Sequence, residues 1–492
     1  MDYLVYIFYP LLLLLFFFGC KFFGKGQWND GFLSLKQSKA VQGFCAVCIM
    51  FHHMAQKTCA PWNNPDYIVH GLDFFVYIGF LFVAVFFFCS GYGLYKSYKS
   101  KENYLQGFLG KHIWPLVIAM LTIGCVFLAG RSWVQEDFYT PALFVIGEPQ
   151  QINPYGWFPL ALIVFYFGFY VSFKNCKKEK WAIIFTSLFV LLYILYCDYT
   201  LFGTWWYNSV IAFSLGLVIA KNEEAVVEFA KKRYVLLLIS FIVLTAGFFA
   251  ISMIDHNKVN RFVILIAQML SSCCFVISLL LIGMKVRIGN KALNFLGGFT
   301  LELYLLHGIF VQLFGYCFIT EKSLSSLYIP NVFLYVLVVL VLAVPLSWGF
   351  HFLDGVIYNW FSDKKRETFR KFLKKEFKKW GIGIGILLVV TIVITFVLGR
   401  KTSKSSALLC EQYRNENITM VDVGGKKMAA YVNGEGPNTI VFMDQSSPTM
   451  VLKGIANWFA DENKIVIDAD KEQYYALFDG DTLIKYFKEN NK

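Results

Sequence analysis

The chain has 492 residues, of which 57% are hydrophobic and 19% aromatic, whereas only 16% carry a charge. This is more apolar surface than a soluble domain can bury, so a soluble globular protein is excluded and lipid is the expected solvent. The net charge of +12 does not indicate nucleic acid, because the basic residues recur in alternate loops between apolar segments rather than on one domain.

Long apolar segments recur along most of the chain. A helix of about 17 to 25 apolar residues crosses a hydrocarbon core of roughly 30 Å and satisfies its own backbone polar groups. We therefore predict an all-α polytopic membrane protein with about twelve transmembrane helices. The first segment is predicted to remain as a helix, because it lacks the basic start and the small-residue cleavage site of a secretory signal. The segments lie near residues 3–20, 40–55, 74–94, 113–129, 157–173, 181–197, 202–220, 234–254, 262–284, 295–319, 332–353 and 381–398.

The distribution of Lys and Arg predicts the orientation of these helices. One alternating set of loops carries about 28 of these residues, whereas the other set, without the C-terminal tail, carries about five. Basic loops are retained on the cytoplasmic side, so the first set is predicted to be cytoplasmic. The N- and C-termini are then both extracytoplasmic, in a multi-pass protein of the cell membrane.

The 12 cysteines lie mostly inside the apolar segments, as Cys45, Cys48 and Cys125 do. Their spacing matches no metal site, and free cysteine is commonly a small buried hydrophobic residue. We predict structural cysteines and no bound metal.

Ionisable side chains inside apolar helices cost free energy and are functional candidates by default. The pair His52 and His53 lies in the second segment, towards the end that the predicted topology places outside. An imidazole titrates near neutral pH and can accept a proton from a hydroxyl group, as a general base must. The alternative is a histidine pair that anchors the helix among lipid headgroups.

Two features on the predicted cytoplasmic side are candidates for contact with a donor. Ser90, Gly91 and Tyr92 lie near the end of the third segment, where small residues permit close approach of a neighbouring helix or of a ligand. Lys111 and His112 precede the fourth segment and follow several further lysines. Such a basic cluster can hold the phosphates of a nucleotide-bearing donor, although cytoplasmic loops carry lysines in any case.

Glu302 and His307 are two further ionisable residues in the tenth segment. Five residues separate them by about 7.5 Å along a helix, so they do not share one tight face. They are candidates for shaping a cavity or relaying protons, and structural hydrogen bonding between helices is the alternative.

Four sequence pieces occur in one order within residues 36–353. They are G-x-x-A-V-x-x-x-x-H-H at 43–53, FFFCSGYGL at 86–94, FLGKHIWPL at 108–116 and LGGFTLELYLLH at 296–307. In these pieces the chain resembles the membrane-bound acyltransferase family 3. The resemblance implies about ten core helices, an acyl-CoA donor (acetyl-CoA in the first instance) that binds from the cytoplasmic side, and acceptors such as cell-surface sugars. Acyl-CoA is then a substrate, and no permanently bound cofactor is expected.

The motif of this family in the first core helix is a basic residue, ten intervening residues and a histidine. Counting back from His53 reaches Gln42, so the chain departs from the motif, while Lys39 lies one turn away. Residues eleven apart on a helix differ by about 20° beyond whole turns and by about 16.5 Å along the axis, so Gln42 and His53 share a face. We hypothesise that His53 is the general base and that Lys39 or Gln42 orients the donor. His52 is expected to face elsewhere.

The composition changes after residue 353. Residues 362–380 are strongly basic, with Phe and Leu at helical intervals, which predicts an amphipathic helix on an anionic leaflet or, alternatively, a solvated charge run. The predicted organisation is an N-terminal helix and loop (1–35), a ten-helix acyltransferase domain (36–361), a basic linker (362–380), a last transmembrane helix (381–399) and an extracytoplasmic α/β tail (400–492).

The tail is predicted to be a small α/β piece. Strands are expected at 439–443 and 464–467, with a helix between them at 450–459. Residues 428–443 resemble the first strands of an α/β-hydrolase domain, but no G-x-S-x-G elbow follows and no His occurs after His351. The tail is therefore expected to be an accessory piece without hydrolase activity.

The leading hypothesis is an enzyme that transfers an acyl group, above all an acetyl group, to a hydroxyl of an extracytoplasmic carbohydrate or envelope polymer. The alternative is a transporter or flippase of a lipid-linked saccharide, for which inverted repeats and broken helix pairs are expected but not clear in the sequence. A sensor is disfavoured, because no cytoplasmic output domain is evident. The predicted partners are membrane lipid, acyl-CoA and the glycan acceptor, without nucleic acid.

Overall fold

The chain forms two compact units, Met1–Phe369 and Arg370–Lys492, here called the membrane unit and the C-terminal unit. The computed structural model describes residues 3–61, 63, 68–130, 153–199, 202–254, 259–315, 318–320, 323–324 and 327–362 of the membrane unit. In the C-terminal unit it describes 418–423, 426–433, 438–442 and 463–468.

The secondary structure in the described part of the membrane unit is helical apart from two short strand pairs. Its helices are α1 (Phe8–Phe17), α2 (Leu35–Thr58), α3 (Gly79–Ser100), α4 (Phe108–Gly130), α5 (Trp157–Asn175), α6 (Glu179–Tyr199), α7 (Ile211–Lys221), α8 (Glu223–Lys232), α9 (Tyr234–Ser252), α10 (Arg261–Lys285), α11 (Lys291–Leu296), α12 (Thr300–Phe314) and α13 (Val332–Ser362). The antiparallel strand pairs are β1 (Lys21–Phe22) with β2 (Val286–Arg287), and β3 (Phe318–Thr320) with β4 (Ser323–Leu324).

Seven of the described helices, α3, α4, α5, α6, α9, α10 and α13, are long and apolar enough to cross a membrane. Two apolar stretches are shorter: Tyr3–Phe17, where a 3-10 turn leads into α1, and α12. The 24 residues of α2 form one continuous helix that carries more polar side chains than these seven. The predicted all-α polytopic membrane protein is confirmed.

Two of the predicted segments were too long. The seventh, at 202–220, begins with a 3-10 turn at Thr204–Trp206 and becomes α-helical only at Ile211, after the polar residues Asn208 and Ser209. The tenth, at 295–319, is broken at Gly297 and Gly298 into α11 and the 15 residues of α12. The twelfth segment, at 381–398, lies outside the described residues, as does most of the basic linker.

Glycines allow the central helices to approach one another closely. A Cβ added at Gly91 of α3 would overlap the carbonyl oxygen of Phe213 in α7, and one at Gly216 of α7 would overlap the carbonyl oxygen of Phe88. Such small-residue contacts are a common basis of helix association in membranes, where apolar burial alone drives little packing. The α3–α7 contact lies within the larger hydrophobic cluster of the membrane unit.

Helix α2 packs with α11 and α12 in the same manner. A Cβ at Gly43 would overlap the carbonyl oxygen of Leu293, and one at Gly297 would overlap the carbonyl oxygen of Lys39. These contacts bring the N-terminal half of α2 against the turn that precedes α12. The two helices then run side by side, so that residues distant in sequence lie at the same level.

Helix α1 is held against the same region by a polar contact at its end. Asn290 Nδ2 donates to the carbonyl oxygens of Leu15 and Phe18 at 2.8 and 3.1 Å. These carbonyls lie at the C-terminal end of the helix, where carbonyl groups have no hydrogen-bond partner within the helix itself.

The described part of the C-terminal unit is a four-stranded sheet with the order β5–β6–β8–β7. Its strands are β5 (Ile418–Val423), β6 (Lys426–Asn433), β7 (Asn438–Phe442) and β8 (Asn463–Asp468). The two predicted strands correspond to β7 and β8, which pair in parallel, while the other pairs are antiparallel. A parallel pair requires a crossover connection. The helix predicted at 450–459 lies in that connection, outside the described residues.

Candidate active site

Two histidines that are 254 residues apart in sequence meet between α2 and α12. Nδ1 of His53 and Nε2 of His307 lie 2.7 Å apart, and the two rings stack with their centroids 5.0 Å apart. His307 is fully buried, whereas His53 is half-buried. The structure therefore joins two of the residues that the sequence singled out separately.

The hydrogen bonds around this pair determine where its protons lie. Nδ1 of His307 is 2.9 Å from the carbonyl oxygen of Leu303, and because a carbonyl only accepts, this nitrogen carries the hydrogen. In a neutral imidazole Nε2 of His307 is then an acceptor, so Nδ1 of His53 donates to it. The remaining nitrogen, Nε2 of His53, is left with a lone pair, which is the state that a general base requires.

The ring of Tyr155 covers both imidazoles. Its centroid lies 4.6 Å from that of His53 and 5.0 Å from that of His307. Gly308 provides the space, since a Cβ there would overlap the Tyr155 ring. The phenol of Tyr155 lies beside Gln312, one turn further along α12. Tyr155 and Gln312 were not among the candidates predicted from the sequence, although a glutamine inside an apolar segment was an available signal.

A buried asparagine fixes the position of Tyr155. Asn153 Nδ2 donates to the carbonyl oxygen of Leu305 at 3.1 Å, and its Oδ1 accepts from the backbone N–H of Tyr155 at 2.9 Å. The start of α5 is thereby tied to the middle of α12, beside the histidine pair.

His52 has a different environment from His53, as the helical spacing predicts. Its Nδ1 donates to the carbonyl oxygen of Phe75 at 2.8 Å. A Cβ at Gly79, the first residue of α3, would overlap the imidazole ring. His52 therefore joins α2 to the turn before α3.

Glu302 takes part in a second polar cluster, between α12, α13 and α4. His351 Nδ1 lies 2.9 Å from Oε1 of Glu302, and Thr122 Oγ1 donates to Oδ1 of Asp354 at 2.8 Å. Glu302 and Asp354 are each only 6% exposed, and within the described part of the chain Oδ2 of Asp354 has no hydrogen-bond partner. Glu302 and His307 thus belong to neighbouring clusters, separated by about 7.5 Å along α12.

His351 and Asp354 were not among the candidates predicted from the sequence. His351 falls inside the eleventh predicted segment and Asp354 directly follows it. An ionisable side chain at such a depth is a functional candidate by default, so the signal was present.

Lys39 and Gln42 lie at the opposite end of α2 from the histidines. Lys39 is exposed, and its backbone carbonyl contacts Gly297. Gln42 is half-buried, and its side chain lies beside the thiol of Cys89 in α3. Because α2 is continuous from Leu35 to Thr58, the shared face of Gln42 and His53 and their separation of about 16.5 Å apply to the folded chain.

The residues predicted to contact the donor have partners on several elements. Ser90 Oγ and Tyr166 Oη of α5 are 2.7 Å apart, while Gly91 contacts the α7 backbone. Tyr92 Oη donates to Glu223 of α8 at 2.7 Å. Lys111 Nζ donates to the carbonyl oxygen of Gln106 at 3.3 Å. Gly91 and Tyr92 thus join α3 to its neighbours.

A line of polar and aromatic side chains leads from the α3–α4 loop to Ser90. Tyr104 Oη lies 3.0 Å from Nε2 of His112, whose ring packs on that of Tyr166 with centroids 5.7 Å apart, and Tyr166 reaches Ser90. Burial raises the pKa of Tyr104 to about 12, so its hydroxyl stays protonated near neutral pH.

A cavity of about 450 Å³ lies at the start of this line. Its lining includes Lys99, Lys101, Tyr104, Gln106 and Glu179, whose carboxylate pairs with Lys99 at 2.8 Å. Lys111 borders it through its bond to Gln106.

A family model described as an acyltransferase domain, acyltransferase 3, matches residues 35–352. The chain belongs to the acyltransferase 3 family. The matched region extends from the start of α2 into α13, and it includes the histidine pair and both residues of the Glu302–His351 contact.

Other comparisons add little to the acyltransferase 3 assignment. The chain is similar to an uncharacterized protein, YbdG, of Bacillus subtilis (strain 168), with 35% identity over 101 residues. The alignment covers 20% of this chain and 30% of the relative, so the chain spans less than a third of that protein. No solved structure matches. In the described residues of this acyltransferase 3 chain, no group of three or more His, Cys, Asp and Glu side chains is arranged to hold a metal ion.

Proposed function

We propose that the protein transfers an acyl group, in the first instance acetyl, from cytoplasmic acyl-CoA to a hydroxyl of an extracytoplasmic carbohydrate or envelope polymer. The observation that carries the proposal is the oriented pair of His53 and His307. Its hydrogen bonds leave a lone pair on Nε2 of His53, in a family whose domain description is acyltransferase.

The pair has the arrangement that hydroxyl activation needs. Nε2 of His53 accepts the proton of the acceptor hydroxyl as the oxygen attacks the thioester carbonyl carbon. The imidazolium that forms keeps its Nδ1–H bond to the neutral His307, whose ring is held by the carbonyl of Leu303. When the tetrahedral intermediate collapses, the carbon–sulfur bond breaks and the imidazolium returns its proton to the CoA thiolate. The products are the ester and free CoA.

The α3–α4 loop is the proposed entrance for the donor. Lys99 and Lys101 line the 450 Å³ cavity there, and because Glu179 pairs with Lys99, Lys101 is the point charge best placed to meet phosphate groups. The line through Tyr104, His112 and Tyr166 to Ser90 offers hydroxyl and imidazole groups to a polar chain that enters from the cavity. The α3–α4 loop is assigned to the cytoplasmic side because the set of loops to which it belongs is rich in Lys and Arg.

Mass analysis of envelope glycans tests this function. Cells with the protein should carry ester-linked acyl groups that are absent from cells without it, and the wild-type chain should restore them whereas His53→Ala should not. Glycans with identical ester content in both strains would contradict the proposal. Loss of a whole saccharide from the cell surface, with unchanged acylation of what remains, would favour the transporter or flippase.

A further inference from the structure

A second cavity, of about 770 Å³, lies away from the histidine pair, between the loop after β1, the α8–α9 junction and the end of α10. Five cations contribute to its lining, and no lining residue is acidic. The cations are Lys25, Lys231, Lys232, Arg233 and Lys285. The aromatic side chains of Trp28 and Tyr234 also line it, with their rings in edge-to-face contact at 5.2 Å.

Hydrogen bonds and a ring contact hold Lys285 in one position in the wall of the cavity. Lys285 Nζ donates to the backbone carbonyl oxygens of Gly24 and Gln27 at 2.9 and 2.6 Å, and it lies 3.8 Å from the centre of the Trp28 ring. The loop after β1 is therefore fixed to the end of α10. This fixes one wall of the cavity and leaves a positive charge in it.

The nearby carboxylates neutralise only part of the charge. Lys231 pairs with Asp30 at 3.3 Å, and Lys232 pairs with Glu228 at 2.6 Å. Within the described residues, neither Lys25 nor Arg233 forms an ion pair with a carboxylate. The cavity thus holds a surplus of positive charge that an anion would offset.

One wall of the cavity is the beginning of a helix whose apolar side chains are exposed. Val235 and Leu236, the second and third residues of α9, are 65% and 63% exposed, and Ile239 one turn later is 58% exposed. In a membrane protein such side chains face lipid chains. Tyr and Trp are enriched where a helix passes from hydrocarbon to headgroups, and Trp28 and Tyr234 mark that level here.

We propose that this cavity binds the headgroup of an acidic phospholipid, with its phosphate near Lys25 and Arg233 and its acyl chains along the exposed face of α9. Basic pockets between transmembrane helices are suited to anionic headgroups. A lipid accounts for both halves of the site, because a free phosphate would use the cations alone and leave the apolar wall unmatched. The site is distinct from the cavity near Tyr104 and does not depend on the proposed acyl transfer.

Lipid binding to the purified full-length protein tests this site. In detergent, native mass spectrometry would measure the binding of phosphatidylglycerol and of phosphatidylcholine with the same acyl chains. The double variant Lys25→Gln/Arg233→Gln should bind phosphatidylglycerol about 25-fold more weakly, about fivefold for each charge removed. Binding of phosphatidylcholine should not change. The control Lys177→Gln/Lys178→Gln removes two exposed charges from the α5–α6 loop and should bind like the wild type.

Two further measurements keep the test decisive. The variant Lys25→Arg/Arg233→Lys keeps both charges and should retain binding, and added salt should weaken phosphatidylglycerol binding to the wild type. Equal binding by the Gln variant and the wild type would overturn the proposal, as would an equal loss in the control. Coenzyme A or inorganic phosphate that displaced the lipid from the wild type would instead make this a site for soluble phosphates, and would also overturn it.

Discussion

At the scale of single residues, the chemistry of the membrane unit depends on which ring nitrogen carries a proton. The carbonyl of Leu303 fixes the hydrogen on Nδ1 of His307, and the contact between the rings then fixes the hydrogen on Nδ1 of His53. Two neutral imidazoles satisfy each other without a buried charge, which would cost free energy at this depth. The reactive lone pair on His53 is a consequence of this chain of hydrogen bonds.

Replacement of His53 should abolish acyl transfer. The loss of a general base costs about 100- to 10,000-fold in rate, so His53→Ala should have no measurable activity while expression and membrane insertion are retained. His52→Ala should be milder, because its imidazole bonds to the carbonyl of Phe75 instead. The measurement is transfer of a radiolabelled acetyl group from acetyl-CoA in membranes. Full transfer by a correctly inserted His53→Ala protein would remove this mechanism.

His307 should act as a positioning residue that is distinguished by two substitutions. In His307→Gln the side-chain oxygen can accept from Nδ1 of His53, whereas in His307→Phe nothing fixes that hydrogen. We expect kcat to fall by about 10- to 100-fold in the Phe variant, the loss typical of a partner that orients a functional histidine, and to fall less in the Gln variant. KM for the acyl donor should stay constant in both. A Phe variant with normal kcat would show that the contact is structural.

The two residues at the other end of α2 should affect the donor. If Lys39 replaces the cation of the family motif, Lys39→Ala should raise KM for acyl-CoA more than Gln42→Ala does. The reason is that a cation contributes directly to phosphate binding, whereas the neutral amide of Gln42 lies beside Cys89. Initial rates over a range of acyl-CoA concentrations separate the two variants. A larger effect of Gln42→Ala would transfer the orienting role to the glutamine.

The sequence identified the separate histidines but not their contact. His53 could be selected because a helix has a fixed geometry, and that geometry also places His52 on another face. The approach of His307 depends on Gly43 and Gly297, which set how closely α2 packs against α11 and the turn before α12, and no local pattern encodes this. The positions of Tyr155 and Asn153 beside the histidine pair became visible only when the helices were assembled.

At the scale of the elements, two glycines on one helix offer a direct test of close packing. Gly91 faces the backbone of α7, whereas a Cβ at Gly93 would have no heavy atom within 4 Å. Gly91→Ala should destabilise the protein by about 1 to 3 kcal/mol through overpacking, and Gly93→Ala should stabilise it by about 0.5 to 1 kcal/mol through helix propensity.

Thermal unfolding in detergent measures both glycine variants, and Tm should fall in the first and rise or stay constant in the second. A Gly91→Ala protein with normal Tm but a raised KM for acyl-CoA would instead support a ligand contact.

Helix boundaries were predictable where apolar length alone determines them. The segments that became α5, α6, α9 and α10 were located within two residues, whereas α3 begins five residues later and ends six residues later than predicted. The seventh and tenth segments were overestimated because Asn208, Ser209 and the Gly297–Gly298 pair interrupt the helix without lowering the average hydropathy much. Breaks of this kind are tolerated when neighbouring protein satisfies the freed backbone groups.

At the scale of the whole molecule, the orientation in the membrane remains a prediction from charge. The loop before the last predicted helix carries about nine Lys and Arg and should be retained in the cytoplasm, so the chain after residue 401 should lie outside. A reporter without cysteine, fused after Lys492, should be active only if it functions outside the cytoplasm. Activity of a reporter that works only in the cytoplasm would reverse the assignment.

The length of α13 determines where the chain leaves the hydrocarbon of the membrane. Its 31 residues extend over about 46 Å, against a hydrocarbon core of roughly 30 Å. Even at a tilt of about 40°, the steep end of the observed range, the helix would cover about 36 Å along the membrane normal. Tilting alone cannot bring a helix of this length within the hydrocarbon core, so at least one end of α13 must project into the headgroup layer. Exposed Trp360 is suited to that level at the C-terminal end, so α13 would end among phosphates rather than acyl chains.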